Sequence, residues 1–217
     1  MGILNIMVIG MGSFGESLAL ELTELGHDVL GVDADADVVQ RNANVLTNAI
    51  QLDGTDREAM RTLDIHSFDI CIVGRGTDLE ESALITLHLK ELKARMIICK
   101  AMSDAQALIL QRIGADQVIM PERDMGKRLA HMISTSTKTL DYMDVTSDYS
   151  IEEIVAPRGW LERELNDLQL PVRYGLQVLL VRSGEKFTTS PSGTTIIHDG
   201  DILVVFGHKR KLAQFKR

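Results

Sequence analysis

ILNIMVIGMGSFG, residues 3–15, reads as a strand that runs through a glycine turn into a helix. Ile3–Ile9 is short and nearly all apolar, the pattern of a strand buried on both faces. Beyond the turn, Phe14, Leu18, Leu22 and Leu25 recur at spacings of 4, 4 and 3, which predicts one apolar stripe on a helix, and Gly26 stands where that helix should stop. Between the two lies Gly10-Met11-Gly12-Ser13-Phe14-Gly15. In a strand–turn–helix setting the three glycines of G-x-G-x-x-G act differently. Gly10 permits the tight turn, Gly12 lets a phosphate approach the backbone, and Gly15 lets helix and strand pack closely. The helix start adds unpaired N–H groups and the positive end of its dipole. All six residues are therefore candidate nucleotide contacts.

The same alternation continues outward. Strand-like runs recur at Val29–Val32, Ala49–Leu52, Ile70–Val73, Met96–Cys99 and Gln117–Met120, with helix-like segments starting near Asp56, Leu79 and Ser103. Strands alternating with helices of this length predict βαβ units and an α/β fold, a Rossmann-like doubly wound parallel sheet. Asp33 ends the second strand, eighteen residues beyond Gly15, where a carboxylate hydrogen-bonds ribose hydroxyls and disfavours a 2′-phosphate, so NADP is not expected. Asp53-Gly54-Thr55 and Gly74-Arg75-Gly76 close later strands on the same carboxyl edge, the first read as an adenine-side contact. Asp56 is equally a ligand neighbour and a helix N-cap. The motif does not separate a dinucleotide such as NAD(H) from ATP or ADP, since both present ribose hydroxyls and a diphosphate.

Residues 122–136 predict one more helix, with Met125, Leu129, Met132 and Ile133 along one side. From Asp141 onward the punctuation changes. Strand-like runs Tyr142–Thr146, Ser150–Val155, Leu176–Arg182 and Ile202–Gly207 are separated by Pro157, Gly159, Pro171, Gly184, Pro191, Gly193 and Gly200, and Trp160–Leu165 suggests a short helix between strands. The expected organisation is an N-terminal nucleotide-binding domain over residues 1–138, ending in a crossover helix, and a small α+β C-terminal lobe over residues 139–217.

The 217 residues are 45% apolar and 25% charged, ordinary for a folded chain, and no apolar run approaches the ~20 residues of a membrane helix. The N-terminus lacks a basic segment ahead of its apolar run, so no signal peptide is expected and the expected location is cytoplasmic. Cys71 and Cys99 form neither a disulfide framework nor a metal spacing and read as small core residues. The net charge is −8, with 13 Lys and Arg against 21 Asp and Glu in residues 1–141, which argues against a grip on nucleic acid. The basic run His208–Lys211 reads as the polar face of a terminal helix. No nucleophile–base pair or metal-ligand spacing emerges, and His27, His66, His88 and His131 lack i, i+4 partners. The chain reads as a non-enzyme, with an NAD-dependent oxidoreductase or an NAD(H)-binding redox sensor as the alternative.

VIGMGSFGESLALEL at 8–22, GHDVLGVD at 26–33, ESALITLHLKEL at 81–92, IGADQVIMPERDMGKRLA at 113–130, VRYG at 172–175 and DGDILVVFGHKRKL at 199–212 together resemble the RCK family, the cytosolic regulators of potassium conductance. Within it the chain looks like the single-repeat regulatory subunits of bacterial Ktr-type potassium uptake systems, over essentially its whole length. The resemblance implies homodimers assembled into an octameric gating ring beneath a separate potassium-translocating membrane subunit, with membrane association only through that partner. It implies an N-lobe whose exchange of ADP for ATP changes the shape of the ring. By position it makes Lys100 a basic group facing the phosphates and Glu122 a carboxylate that helps hold Mg²⁺ or Ca²⁺ at a subunit interface; a helix-start glutamate favoured by the dipole is the equal alternative for Glu122. Two departures stand out. Ser13 occupies a place where such subunits often carry an arginine that reaches a neighbour's phosphate, a charge that Arg75 is the candidate to replace. Pro171-Val172-Arg173-Tyr174 has proline at the first basic position of the stretch through which some relatives bind cyclic di-AMP, so that ligand is not expected here, and Leu168, Leu170 and Val172 are left as a candidate apolar interface.

Overall fold

Six parallel strands are stacked in the order β3-β2-β1-β4-β5-β6: β1 (Asn5–Ile9), β2 (Asp28–Asp33), β3 (Asn48–Gln51), β4 (Ile70–Val73), β5 (Ile97–Lys100) and β6 (Gln117–Ile119). The connecting helices are α1 (Ser13–Glu24), α2 (Ala36–Asn42), α3 (Arg57–Arg61), α4 (Leu79–Glu91) and α5 (Asp104–Ile113), with α6 (Pro121–Thr135) following β6. This is the doubly wound sheet expected from the alternation. The computed structural model describes residues 2–135 and 139–216. It divides into two compact units, Met1–Arg123 and Asp124–Arg217, so that α6 begins in the first and has most of its length in the second. Ser136, where that helix was expected to end, and residue 138, the expected domain boundary, lie outside the described residues.

The four inner strands, β2, β1, β4 and β5, are apolar along their middle because both faces of the sheet are covered there, whereas the edge strands β3 and β6 carry Asn48, Gln51 and Gln117. Side chains alternate across a strand, and β1 divides accordingly: Met7 and Ile9 pack with Val32, Val73, Ile85 and Leu89, while Ile6 and Val8 pack with Ala19, Val29 and Ile72. Cys71 and Cys99 lie within this sheet, on neighbouring strands paired Cys71↔Ile97 and Val73↔Cys99. Burial pushes their thiols up to about 12 and about 11, so neither supplies a thiolate near neutral pH. The helices start on local caps: Asp35 accepts from Asp37 N–H, Asp56 from Glu58 and Ala59, Asp78 from Glu80 and Glu81, and Ser103 from Gln106. Asp56 thus has the capping role. The stripe expected on α1 is shorter than its spacing implied, because Leu25 is the C-cap residue and is exposed. The fully buried residues of α1 are instead Gly15 and Ala19.

The second unit is antiparallel. After α6 come β7 (Thr139–Asp144), β8 (Tyr149–Val155), β9 (Arg163–Glu164), α7 (Leu165–Leu168), α8 (Leu170–Tyr174), β10 (Gln177–Ser183), β11 (Lys186–Thr189), β12 (Ile196–Ile197), β13 (Ile202–His208) and α9 (Lys209–Leu212). The main sheet runs β11-β10-β13-β8-β7, and β9 pairs with β12. Its core gathers Ile154, Trp160, Leu168, Leu170, Val178, Leu203, Val205 and Leu212.

Two expectations change here. Trp160–Leu165 is not a helix: a 3₁₀ turn covers Arg158–Trp160, Glu162 takes a left-handed φ of 56°, and its N–H donates to Ile197 O at 2.7 Å, which starts β9. Leu168, Leu170 and Val172 do not form an apolar patch, since the two leucines are core residues and only Val172 is exposed, at 88%. On α6, by contrast, Met125, Leu129 and Ile133 are all more than half exposed. No helix among the described residues is long and apolar enough to cross a membrane.

The junction of β1 and α1 allows no side chain at Gly15, where an ideal Cβ would lie 2.1 Å from the carbonyl oxygen of Gly10. Gly15→Ala should destabilise the first unit by about 1–3 kcal/mol or more, the cost of overpacking against backbone that cannot rotate away. Gly12→Ala, with nothing within 4 Å of its ideal Cβ, should cost under about 1 kcal/mol. Equilibrium urea unfolding of the two variants beside the parent checks the contrast.

Candidate functional site

The strand order reverses between β1 and β4, and the crevice at their carboxyl ends is where open α/β sheets bind ligands. Gly10 makes the turn there with φ +87°, and its N–H donates to Val32 O at 2.8 Å. The N-cap of α1 is Gly12, which offers no side-chain oxygen to the first turn. The first helical hydrogen bond runs from Glu16 N–H to Gly12 O, so the amides before it have no partner within the helix and face a positive dipole end. The contrast with the capped α2, α3, α4 and α5 is informative. Folding explains why residue 15 must be glycine, but it does not explain residue 12, whose missing side chain leaves open space.

That space is a cleft of about 730 Å³. Of the residues anticipated from sequence, Gly10, Gly12, Ser13, Phe14, Asp33, Gly74, Arg75, Lys100 and Glu122 line it. Asp53, Gly54 and Thr55 line an adjoining recess of about 180 Å³ that shares Gly10, Asp33 and Arg75 with the main cleft. Two anticipated residues do not face it: Gly15 lies beneath the turn, and Met11 is 2% exposed, its side chain in the core and its backbone N–H directed at Asp33. Ala34, Val38, Thr77, Glu81 and Ile85 are among the further wall residues and were not anticipated. Ala34 and Thr77 follow strand ends and were open to the same edge argument as Asp33. Glu81 and Ile85 enter from a face of α4 that nothing local points toward the cleft.

Asp33 ties the two loops together. Its Oδ2 accepts Met11 N–H at 2.7 Å and its Oδ1 accepts Asp35 N–H at 3.0 Å, and each oxygen keeps further lone-pair capacity for a ribose hydroxyl. Asp53 is held by Thr55, whose hydroxyl and N–H both donate to Oδ1, at 2.7 and 2.9 Å. These bonds, led by the hydroxyl, keep its carboxyl below the usual range. Arg75 lines both spaces, but its Nε pairs with Glu81 at 2.6 Å, so its charge comes to the cleft already partnered.

Lys100 and Glu122 meet directly. Lys100 is 9% exposed, its Nζ forms an ion pair with Glu122 Oε1, and the same ammonium lies 5.6 Å from the centroid of the Phe14 ring. The hydrogen bond from Lys100 holds the Glu122 carboxyl below its ordinary value. No group of three or more His, Cys, Asp or Glu side chains able to hold a metal occurs among the described residues. The arrangement thus offers amides and an ammonium to phosphates and a carboxylate to ribose, and the chain's cysteines are too buried to act as nucleophiles.

Comparison with known proteins follows this division of the chain. The TrkA-N domain matches residues 6–121 and the TrkA-C domain residues 150–217. The chain is 38% identical to Ktr system potassium uptake protein C of Bacillus subtilis over 210 residues, 97% of this chain and 95% of that one. It is 35% identical to Ktr system potassium uptake protein A of Vibrio alginolyticus, over 95% of this chain and 93% of that one. Among solved structures, the GsuK channel superposes with a TM-score of 0.68 at 20% identity, covering 98% of this chain and 38% of the channel. The GsuK channel bound to NAD gives 0.67 at 18% identity, covering 99% and 39%.

The Lys100–Glu122 pair makes stability depend on pH in a defined sense. A carboxyl depressed in the folded state contributes above its ordinary value of 4.5 and loses that contribution as pH falls through the lower folded value. Glu122→Gln should therefore be less stable than the parent near pH 7, because it leaves a buried ammonium without its counter-charge, and the difference should vanish on acidification well below pH 4.5. Denaturant midpoints of both proteins between pH 3 and 7 test this.

Proposed function

The chain belongs to the family built from paired TrkA-N and TrkA-C domains, and from that premise we propose that it is the nucleotide-binding regulatory subunit of a potassium uptake system. The observation that carries this reading is the uncapped start of α1 opening on the same cleft as Asp33 and Lys100 in a chain that follows Ktr uptake proteins from end to end. ADP and ATP fit the cleft, with the diphosphate on the amides of α1, ribose on Asp33, the adenine side toward Asp53-Gly54-Thr55, and Lys100 beside the phosphates. NAD(H) is the second ligand class, since the cleft and its recess present the same groups to a dinucleotide. Mg²⁺ or Ca²⁺ at Glu122 would need phosphate oxygens and a second subunit to complete its ligands, because Glu122 is paired with Lys100 and no three-ligand group surrounds it among the described residues.

Control of transport then requires that the nucleotide bind two forms of the assembly with different affinity, since equal affinity shifts nothing. Exposed apolar side chains support self-association: Met125, Leu129 and Ile133 on α6, and Leu84, Leu87, Leu108 and Ile109 on α4 and α5. Homodimers assembled into an octameric ring, acting in the cytoplasm on a separate membrane subunit, are the form this reading takes.

Thermal unfolding with ATP, ADP, NAD⁺ and NADH, each with and without Mg²⁺, should show stabilisation of about 2.7 kcal/mol by the cognate nucleotide at 100 times its dissociation constant. Gly12→Glu, which places a carboxylate among the helix-start amides, should abolish that stabilisation while leaving the ligand-free midpoint within about 1 kcal/mol of the parent. Stabilisation by ADP and ATP together with nucleotide-dependent potassium flux in vesicles carrying the membrane subunit supports the reading. A response to NADH alone, with no effect on flux, overturns it in favour of a redox sensor.

A further inference from the structure

We propose that the second unit carries a phosphate-binding site in which Arg163 and Arg173 hold a phosphomonoester or free phosphate dianion over Trp160. The turn Arg158–Trp160, the strand β9 and the helices α7 and α8 surround a cleft of about 310 Å³, within the range of small-molecule sites and far larger than one phosphate ion. Its floor is part of the core: Trp160 and Leu168 are each 5% exposed and Leu170 is 2% exposed. The two arginines on its wall are ten residues apart in sequence and are brought together because Gln169, in a left-handed conformation at φ 47°, ends α7 and starts α8 in a new direction.

The hydrogen bonding of these arginines differs from that of other arginines in the chain. Arg75, Arg128 and Arg182 each face a carboxylate, Glu81, Asp141 and Glu153 respectively. Arg163 instead donates to two backbone carbonyls, Gly159 O at 3.5 Å and Asp167 O at 3.0 Å, and Arg173 donates from Nε to the amide oxygen of Gln169 at 3.0 Å. All three acceptors are neutral. They fix the direction of the guanidinium groups without cancelling their charge, and they leave donors over on both forks. Among the described residues, no aspartate or glutamate lines the cleft. Two like charges held over an apolar floor, in a chain that is acidic overall, are a concave field that favours an anion. The planar forked donor suits phosphate in particular, and the volume beyond the anion leaves room for the group that carries it.

Trp160 is the one tryptophan of the sequence and reports on this cleft directly. The full chain should be titrated with sodium phosphate, phenyl phosphate and sodium chloride at constant ionic strength, following Trp160 emission. A saturable change with phosphate or phenyl phosphate, absent with chloride and weakened at least tenfold in both Arg163→Gln and Arg173→Gln, supports the site. Saturation at lower concentration with phenyl phosphate assigns an organic phosphomonoester, and the reverse assigns free phosphate. An equal response in the parent and both variants, or one reproduced by chloride, overturns the proposal. Should a variant fail to fold, phenylglyoxal labelling of the parent answers the same question: phosphate must protect Arg163 and Arg173 and leave Arg112, exposed in the last turn of α5, unprotected, and equal labelling with and without phosphate overturns it.

Discussion

Helix α1 approaches β1 so closely that Gly15 faces the carbonyl of Gly10 with no room for a single carbon between them. This contact sets the direction in which α1 leaves the sheet and therefore where its unpaired amides point. Gly74, whose ideal Cβ would lie 2.7 Å from the same carbonyl and 3.3 Å from Gly15 Cα, brings the end of β4 to the turn as well. Three chain segments thus converge on one peptide group, and the cleft is the space above it. A larger residue at Gly15 or Gly74 would move the amides away from the carboxylate of Asp33, so the packing of the turn and the geometry of the cleft are one constraint.

Charge is arranged around this turn with few groups left unbalanced. Lys100 meets Glu122, Arg75 meets Glu81, and the Asp33 carboxylate is taken up by backbone N–H groups. A phosphate bound as proposed would add negative charge where Lys100 is already committed, and would so compete with Glu122 at the first turn of α6. On the proposed function, this competition would couple ligand binding to the start of the helix that carries the exposed Met125, Leu129 and Ile133. The second unit follows a different rule: Arg163 and Arg173 are oriented by neutral oxygens and keep their charge.

The sequence alone determined those features that depend on neighbours along the chain. The parallel sheet, the helix starts near Asp56, Leu79 and Ser103, the glycine turn and the place of Asp33 were legible because strand periodicity, capping and the spacing of a βαβ unit act over a few to some twenty residues. What only the tertiary structure decided depends on how distant segments meet. Met11 turns its side chain into the core because it sits against Gly31 of β2. Leu168 and Leu170 are buried while Val172 is exposed because α7 and α8 meet at a left-handed residue that no apolar periodicity reveals. The pairing of Lys100 with Glu122, the commitment of Arg75 to Glu81, and the presence of Arg163, Arg173 and Trp160 around one cleft all follow from strand order and chain reversal. Local propensity is a property of adjacent residues, whereas these contacts are made between side chains whose separation in sequence does not bear on their separation in space.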